Sequence, residues 1–159
     1  MKTILTPVDF SSATRGVLEA AADMARAVSG RVVLLHCIQN PVVTTDYGLT
    51  AEVLQETIVL NQTAAKRQIA HLVQSLTAKG IPVSSRLATG FAPGNILDEA
   101  RKTKAAYIVL GSHGHTAFYE LLVGSTTHAV LKKAPCPVLV VPPLKAQKKT
   151  KAAAVKKRR

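Results

Sequence analysis

"RVVLLHCI", residues 31–38, carries six apolar residues in eight positions, and they do not alternate with polar ones. A strand with one wet face alternates; a run apolar at consecutive positions buries both faces, which suits an inner strand of a parallel sheet covered by helices on either side. Four other short runs frame it. "KTILTPVD" (2–9) and "AYIVLGS" (106–112) have the same apolar character, and "PVLVVP" (137–142) is fenced by prolines. "VSSRLATG" (83–90) is more polar, as an outer strand can be.

Helical patterns fill the gaps. Ser11 and Ser12 are N-cap candidates for a helix over 13–28, with Gly30 as its stop. Residues 50–79 place Leu54, Ile58, Ala65, Ile69, Leu72 and Leu76 at helical spacings before Gly80 and Pro82. Pro93 opens a helix to about Lys104 with Ile96, Leu97 and Ala100 on its apolar side. A last helix runs from near Ser125 to near Lys133, where Pro135 prevents continuation.

Strands alternating with helices imply right-handed crossovers. The predicted fold is α/β: an open, doubly wound, five-stranded parallel sheet with helices on both faces. Ligands of such sheets sit at the carboxyl ends of the strands, where the winding reverses. Those ends are "PVD" (7–9), "HCI" (36–38), "ATG" (88–90) and "GSHG" (111–114). Residues 39–49 read as an irregular loop over the same end.

Composition narrows the function classes. The chain has 159 residues, 47% of them hydrophobic and 19% charged, with no tryptophan. No apolar run reaches the length of a membrane span, and the N-terminus meets Pro7 and Asp9 too early for a signal peptide. The expected location is cytoplasmic. Cys37 and Cys136 lie in apolar surroundings, and no CxxC pair occurs; they read as buried thiols of a reducing compartment. The net charge of +12 is uneven. Residues 145–159 hold eight of the twenty-one basic residues and no acid, whereas 1–144 carry thirteen basic against nine acidic side chains. The expected organisation is one domain over 1–144 and a disordered basic tail over 145–159. The tail suits either solvation or non-specific contact with nucleic acid or an anionic surface, and it lacks aromatics for base stacking.

The stretch "GSHGHTAFYELLVGST" (111–126) follows the fourth strand. Its glycines allow close backbone approach to a ligand, and a helix start after Gly124 offers free N–H groups to an anion. It is not a Walker A loop, since no lysine precedes Ser125, and it is not GxGxxG. Bare spacing leaves open a turn glycine and a helix-start glycine with no ligand. His113, His115 and His128 lack the further ligands of a zinc site. Ser112 and His113, as chain neighbours, do not make a hydrolytic pair.

The full spacing G-x2-G-x9-G-[ST] on a fourth strand resembles the nucleotide-binding motif of the universal stress protein family. "ILTPVDFSSAT", "VVLLHCI", "GFAPGNIL", "AYIVLGSHGHT" and "APCPVLVVP" are similar, in order, to that family's other segments, over about residues 2–143. The resemblance implies an adenine nucleotide alpha hydrolase-like fold and the ATP-binding branch of the family. ATP, with or without Mg, would then lie at the top of the sheet. Pro7, Val8 and Asp9 would line the adenosine side, with Asp9 near ribose or a metal ion. The Cys37 backbone would meet adenine, and Leu110 and Gly111 would lie near adenine and ribose. Gly114, His115, Gly124, Ser125, Thr126 and Thr127 would surround the phosphates. His115 departs from the Arg or Lys common there, so phosphate affinity is expected to fall as pH rises through its titration.

Non-ligand roles stand beside these. Asp9 and Ser125 could each cap the helix that follows, and Cys37 could be core alone. No base and no Lys or Arg finger is evident at the strand ends, so no catalytic residue is assigned and any ATP hydrolysis should be slow. The resemblance further implies a homodimer through the edge strand 137–142. The overall reading is a dimeric regulatory module of the stress response that binds ATP. Its alternatives are a slow ATPase or autophosphorylating enzyme, and a nucleic-acid-associated protein acting through its tail.

Overall fold

The computed structural model describes residues 1–39, 51–112 and 123–143. Its elements run β1 (Thr3–Pro7), α1 (Thr14–Ala27), β2 (Arg31–Ile38), α2 (Ala51–Thr77), β3 (Val83–Thr89), α3 (Ala92–Lys102), β4 (Tyr107–Gly111), α4 (Ser125–Lys133) and β5 (Val138–Val141). The sheet order is β3-β2-β1-β4-β5, with all pairings parallel. The open, doubly wound α/β sheet expected from the alternating pattern is therefore the fold. The polar run 83–89 and the proline-fenced run 138–141 take the two edges.

The side-chain period of two sorts the core into layers. Ile4, Val32, Leu34 and Val109 face α1 and α2, meeting Val17, Leu18, Ala21, Ile69 and Leu76. Leu5, Val33, Leu35, Ile108 and Leu110 face α3 and α4, meeting Ile96, Leu97, Ala100 and Val130. Ile4, Leu5, Leu34 and Ile108 are wholly buried, each contributing about 1.5–3 kcal/mol of hydrophobic stabilisation. Consecutive residues of one strand serve opposite layers, which explains why 31–38 shows no alternation.

One local expectation changes, and two gain physical detail. Ser11 and Ser12 do not cap α1: Ala13 occupies the N-cap, with no side-chain cap bond. The Ser11 hydroxyl is buried with no partner among the described residues, because the chain turns before the helix starts. Gly30 ends α1 by close packing rather than by a left-handed backbone. The positive φ (48°) belongs to Ser29, while a Cβ on Gly30 would stand 2.6 Å from Ile4 Cδ1 and 2.7 Å from the Lys2 carbonyl oxygen. In α2 the apolar stripe is buried only in its second half. Ala65, Ile69 and Leu76 are buried, Leu54 and Ile58 are half-exposed, and Leu60 is 69% exposed. The expected loop 39–49 falls, apart from Gln39, outside the described residues.

Candidate functional site

The chain winds outward from β1 to β2 to β3, then returns to place β4 on the other side of β1. At that reversal the connections leave β1 and β4 in opposite directions, and a crevice opens beyond their carboxyl ends. A cavity of about 670 Å³ lies there, well within the range for small-molecule sites. Pro7, Val8 and Asp9 reach it from the end of β1, Cys37 from β2, and Leu110 and Gly111 from β4. Gly124, Ser125, Thr126 and Thr127 reach it from the start of α4. Ten of the twelve expected site residues thus share one cavity; Gly114 and His115 lie outside the described residues.

Among the described residues the electrostatics are those of helix starts rather than of side-chain cations. α1, α3 and α4 all begin at this end, and none has a side-chain N-cap bond or an acid in its first turn. Their first N–H groups lack intrahelical partners and carry partial positive charge. Among the described lining residues there is no Lys or Arg, and Asp9 is the one carboxylate. An anion here would meet backbone N–H groups and hydroxyls.

Two capping alternatives are decided by geometry. Asp9 does not cap α1. Its Oδ1 accepts the Ser11 N–H at 3.0 Å, closing an Asx turn ahead of the helix. Ser125 does not cap α4 either. Gly124 is the N-cap, in an extended conformation, and Ser125 is the first helical residue, exposed and facing the cavity rim. Thr127 differs from its neighbours. It is 4% exposed and its hydroxyl donates to the Gly111 carbonyl at 2.8 Å, so its proton is already engaged. The Gly124 N–H donates to the Ser112 carbonyl at 2.7 Å. Both bonds tie the start of α4 to the exit of β4.

Both cysteines are free and half-buried rather than wholly buried. Burial pushes the Cys37 thiol up, with a hydrogen bond from Asn95 opposing it; burial likewise raises Cys136. Among the described residues no cluster of His, Cys, Asp or Glu has the makings of a metal centre by itself, and no helix is long and apolar enough to cross a membrane.

The structure adds lining residues outside the strand ends named from the sequence, Phe10, Gln39, and Asn61 and Gln68 of α2, and it brings in His36 from within the strand end 36–38. Asn61 and Gln68 stand seven apart, on one helical face with Ala64 and Ala65, a polar-small stripe that 3.6-residue periodicity could have flagged. A shallower groove of about 520 Å³ continues past Ala92, Ser125 and Thr126 to Phe91.

A profile of the universal stress protein family matches residues 1–142, nearly the whole chain. The chain belongs to the universal stress protein family. Its relatives include universal stress proteins of Methanocaldococcus jannaschii, 30% identical with 88% of this chain and 94% of the relative covered, and of Bacillus subtilis, YxiE, 27% identical with 87% and 97% covered. The solved structure of a universal stress protein from Lactobacillus plantarum is similar, with a TM-score of 0.77 and 26% identity over 88% of this chain and 97% of that one. The doubly wound sheet is therefore the fold of the family.

Proposed function

We propose that the chain is an ATP-binding universal stress protein that works as a regulatory module, with its bound nucleotide read by partners. The observation that carries this is a cavity at the β1/β4 reversal, which gathers Asp9, Gly111 and the start of α4 around one volume. Adenosine would lie along Pro7–Asp9, Cys37 and Leu110. The phosphates would lie against Gly124, Ser125, Thr126 and Thr127, with Gly114 and His115 completing the loop. A universal stress protein of Archaeoglobus fulgidus with the same fold, 24% identical and with a TM-score of 0.63, is solved in complex with dAMP. That ligand belongs to that protein; the support here is this cavity's own lining. A Mg ion fits the donor set, since Mg is held by one carboxylate together with phosphate oxygens and Asp9 stands in the cavity. It would neutralise phosphate charge there. With no described Lys or Arg to meet a transferring phosphoryl group, turnover should be well below one per minute.

The reading also includes a domain over 1–144 with a basic tail over 145–159, a cytoplasmic location, and a homodimer. β5 supports the dimer: it is one of the two sheet edges, short, and exposes Leu139, and open apolar edges invite pairing. The test is calorimetric titration of the full chain with ATP, ADP and AMP, with mass spectrometry of small molecules released on denaturation. Gly124→Val should abolish nucleotide binding with the far-UV spectrum retained. A flat titration and no released nucleotide would overturn the proposal. Leu139→Lys should shift the chain to monomer in sedimentation; an unchanged mass refutes the edge pairing.

A further inference from the structure

The turn from β1 into α1 is held from an unexpected direction. The β1–β2 pairing ends at Pro7↔Leu35. Val8, the next residue, still donates its N–H to the Leu35 carbonyl at 2.8 Å. Its own carbonyl is taken by a side chain: His36 Nδ1 stands 2.8 Å away. A carbonyl only accepts, so Nδ1 must carry the proton, and in the neutral ring Nε2 is left with its lone pair. Two residues along the turn, Phe10 packs on the same imidazole, with ring centroids 4.2 Å apart and planes tilted by 36°. Phe10 does so at φ +61°, a left-handed conformation that a bulky residue adopts only when its surroundings enforce it. Between the two contacts lies Asp9, bonded to the Ser11 N–H. His36 therefore grips the turn on both sides of its carboxylate, and Val8, Asp9, Phe10 and His36 all line the cavity.

We propose that His36 is a positioning residue of the nucleotide site. Its Nδ1–H fixes the Val8 carbonyl and its ring face holds Phe10, so that Asp9 is presented to the ligand in one arrangement. This rests on the nucleotide-binding reading above. Without the clamp, Phe10 relaxes toward negative φ, and only a fraction of molecules keep Asp9 in place. Apparent affinity falls by that fraction, about tenfold for the loss of one hydrogen bond that leaves the Val8 carbonyl without its donor.

The experiment compares two variants of the full chain, each keeping one half of the contact. His36→Asn retains a donor near the Nδ1 position without the ring; His36→Phe retains an aromatic face without the donor. In the ligand-free protein, amide exchange at Asp9, Phe10 and Ser11 should accelerate about tenfold or more in His36→Phe and much less in His36→Asn. The β2–β3 ladder should keep wild-type rates in both. The ATP dissociation constant should rise about tenfold in His36→Phe and stay within about threefold of wild type in His36→Asn. Nitrogen NMR of the wild type should find the Nδ1–H tautomer at neutral ring charge, a readout that needs no variant to fold. An Nε2–H tautomer, equal exchange in both variants, or, where wild type binds ATP, equal ATP affinities in both would overturn the proposal. If wild type binds no ATP while exchange still separates the variants, the nucleotide reading fails and the clamp on the turn stands.

Discussion

Replacing Thr127 by valine keeps the shape of a buried side chain and deletes one donor. The Thr127 hydroxyl lies 2.8 Å from the Gly111 carbonyl oxygen, and the residue is buried. Losing such a bond costs about 1 kcal/mol net, and about 1–3 kcal/mol when the abandoned acceptor finds no other donor. The expected loss is about 2 kcal/mol, which for a chain of this size lowers Tm by roughly 4–8 °C. Thr127→Ser is the control: it keeps the donor and loses one methyl, at about 0.8 kcal/mol. The same bond joins the start of α4 to the end of β4, so Thr127→Val should also weaken ATP binding while Thr127→Ser does not. Urea unfolding of both variants, followed by circular dichroism, measures the first effect. A valine variant within about 0.5 kcal/mol of wild type, or one no less stable than serine, refutes the reasoning, since shape rather than the donor would then dominate.

Ser125→Ala tests the reassignment of the α4 cap: with Gly124 in that place, stability should change by less than about 0.5 kcal/mol, against the roughly 1 kcal/mol that removal of a true cap costs. Gly30→Ala should lose about 1–3 kcal/mol in denaturant unfolding, because the new methyl group would meet the Lys2 carbonyl oxygen at 2.7 Å; a neutral result would mean that the β1–β2 junction yields freely. The raised Cys37 and Cys136 thiols stabilise the fold fully below the ordinary thiol pKa. As pH climbs past about 8.5 the unfolded chain ionises first, so stability should fall toward pH 10, and the fall should be smaller in a Cys37→Ala, Cys136→Ala double variant.

Much of this was legible in the sequence because it depends on neighbours along the chain. Apolar runs at 31–38 and 106–112, with helical periods between them, require a sheet buried on both faces. The spacing of Gly111, Gly114 and Gly124, read with the segments around it, pointed to the family. Caps were less legible. Ser11 and Ser125 are the residue types that cap helices, but a cap also needs the right backbone turn, and both turns are set by contacts elsewhere: the Asp9 Asx turn and the Gly124–Ser112 bond.

Sequence alone determined the α/β class and the boundaries of most elements, and its resemblance to a family picked out ten residues that line one cavity. Only the tertiary structure decided the strand order, since local periodicity does not say on which side of β1 the fourth strand lands. That order creates the reversal and its crevice. It also decided that Thr127 spends its hydroxyl proton on Gly111, that Asn61 and Gln68 of α2 wall the cavity, and that His36, 28 residues along the chain from Val8, holds the turn that carries Asp9. These are contacts between segments distant in sequence, and no local pattern encodes them.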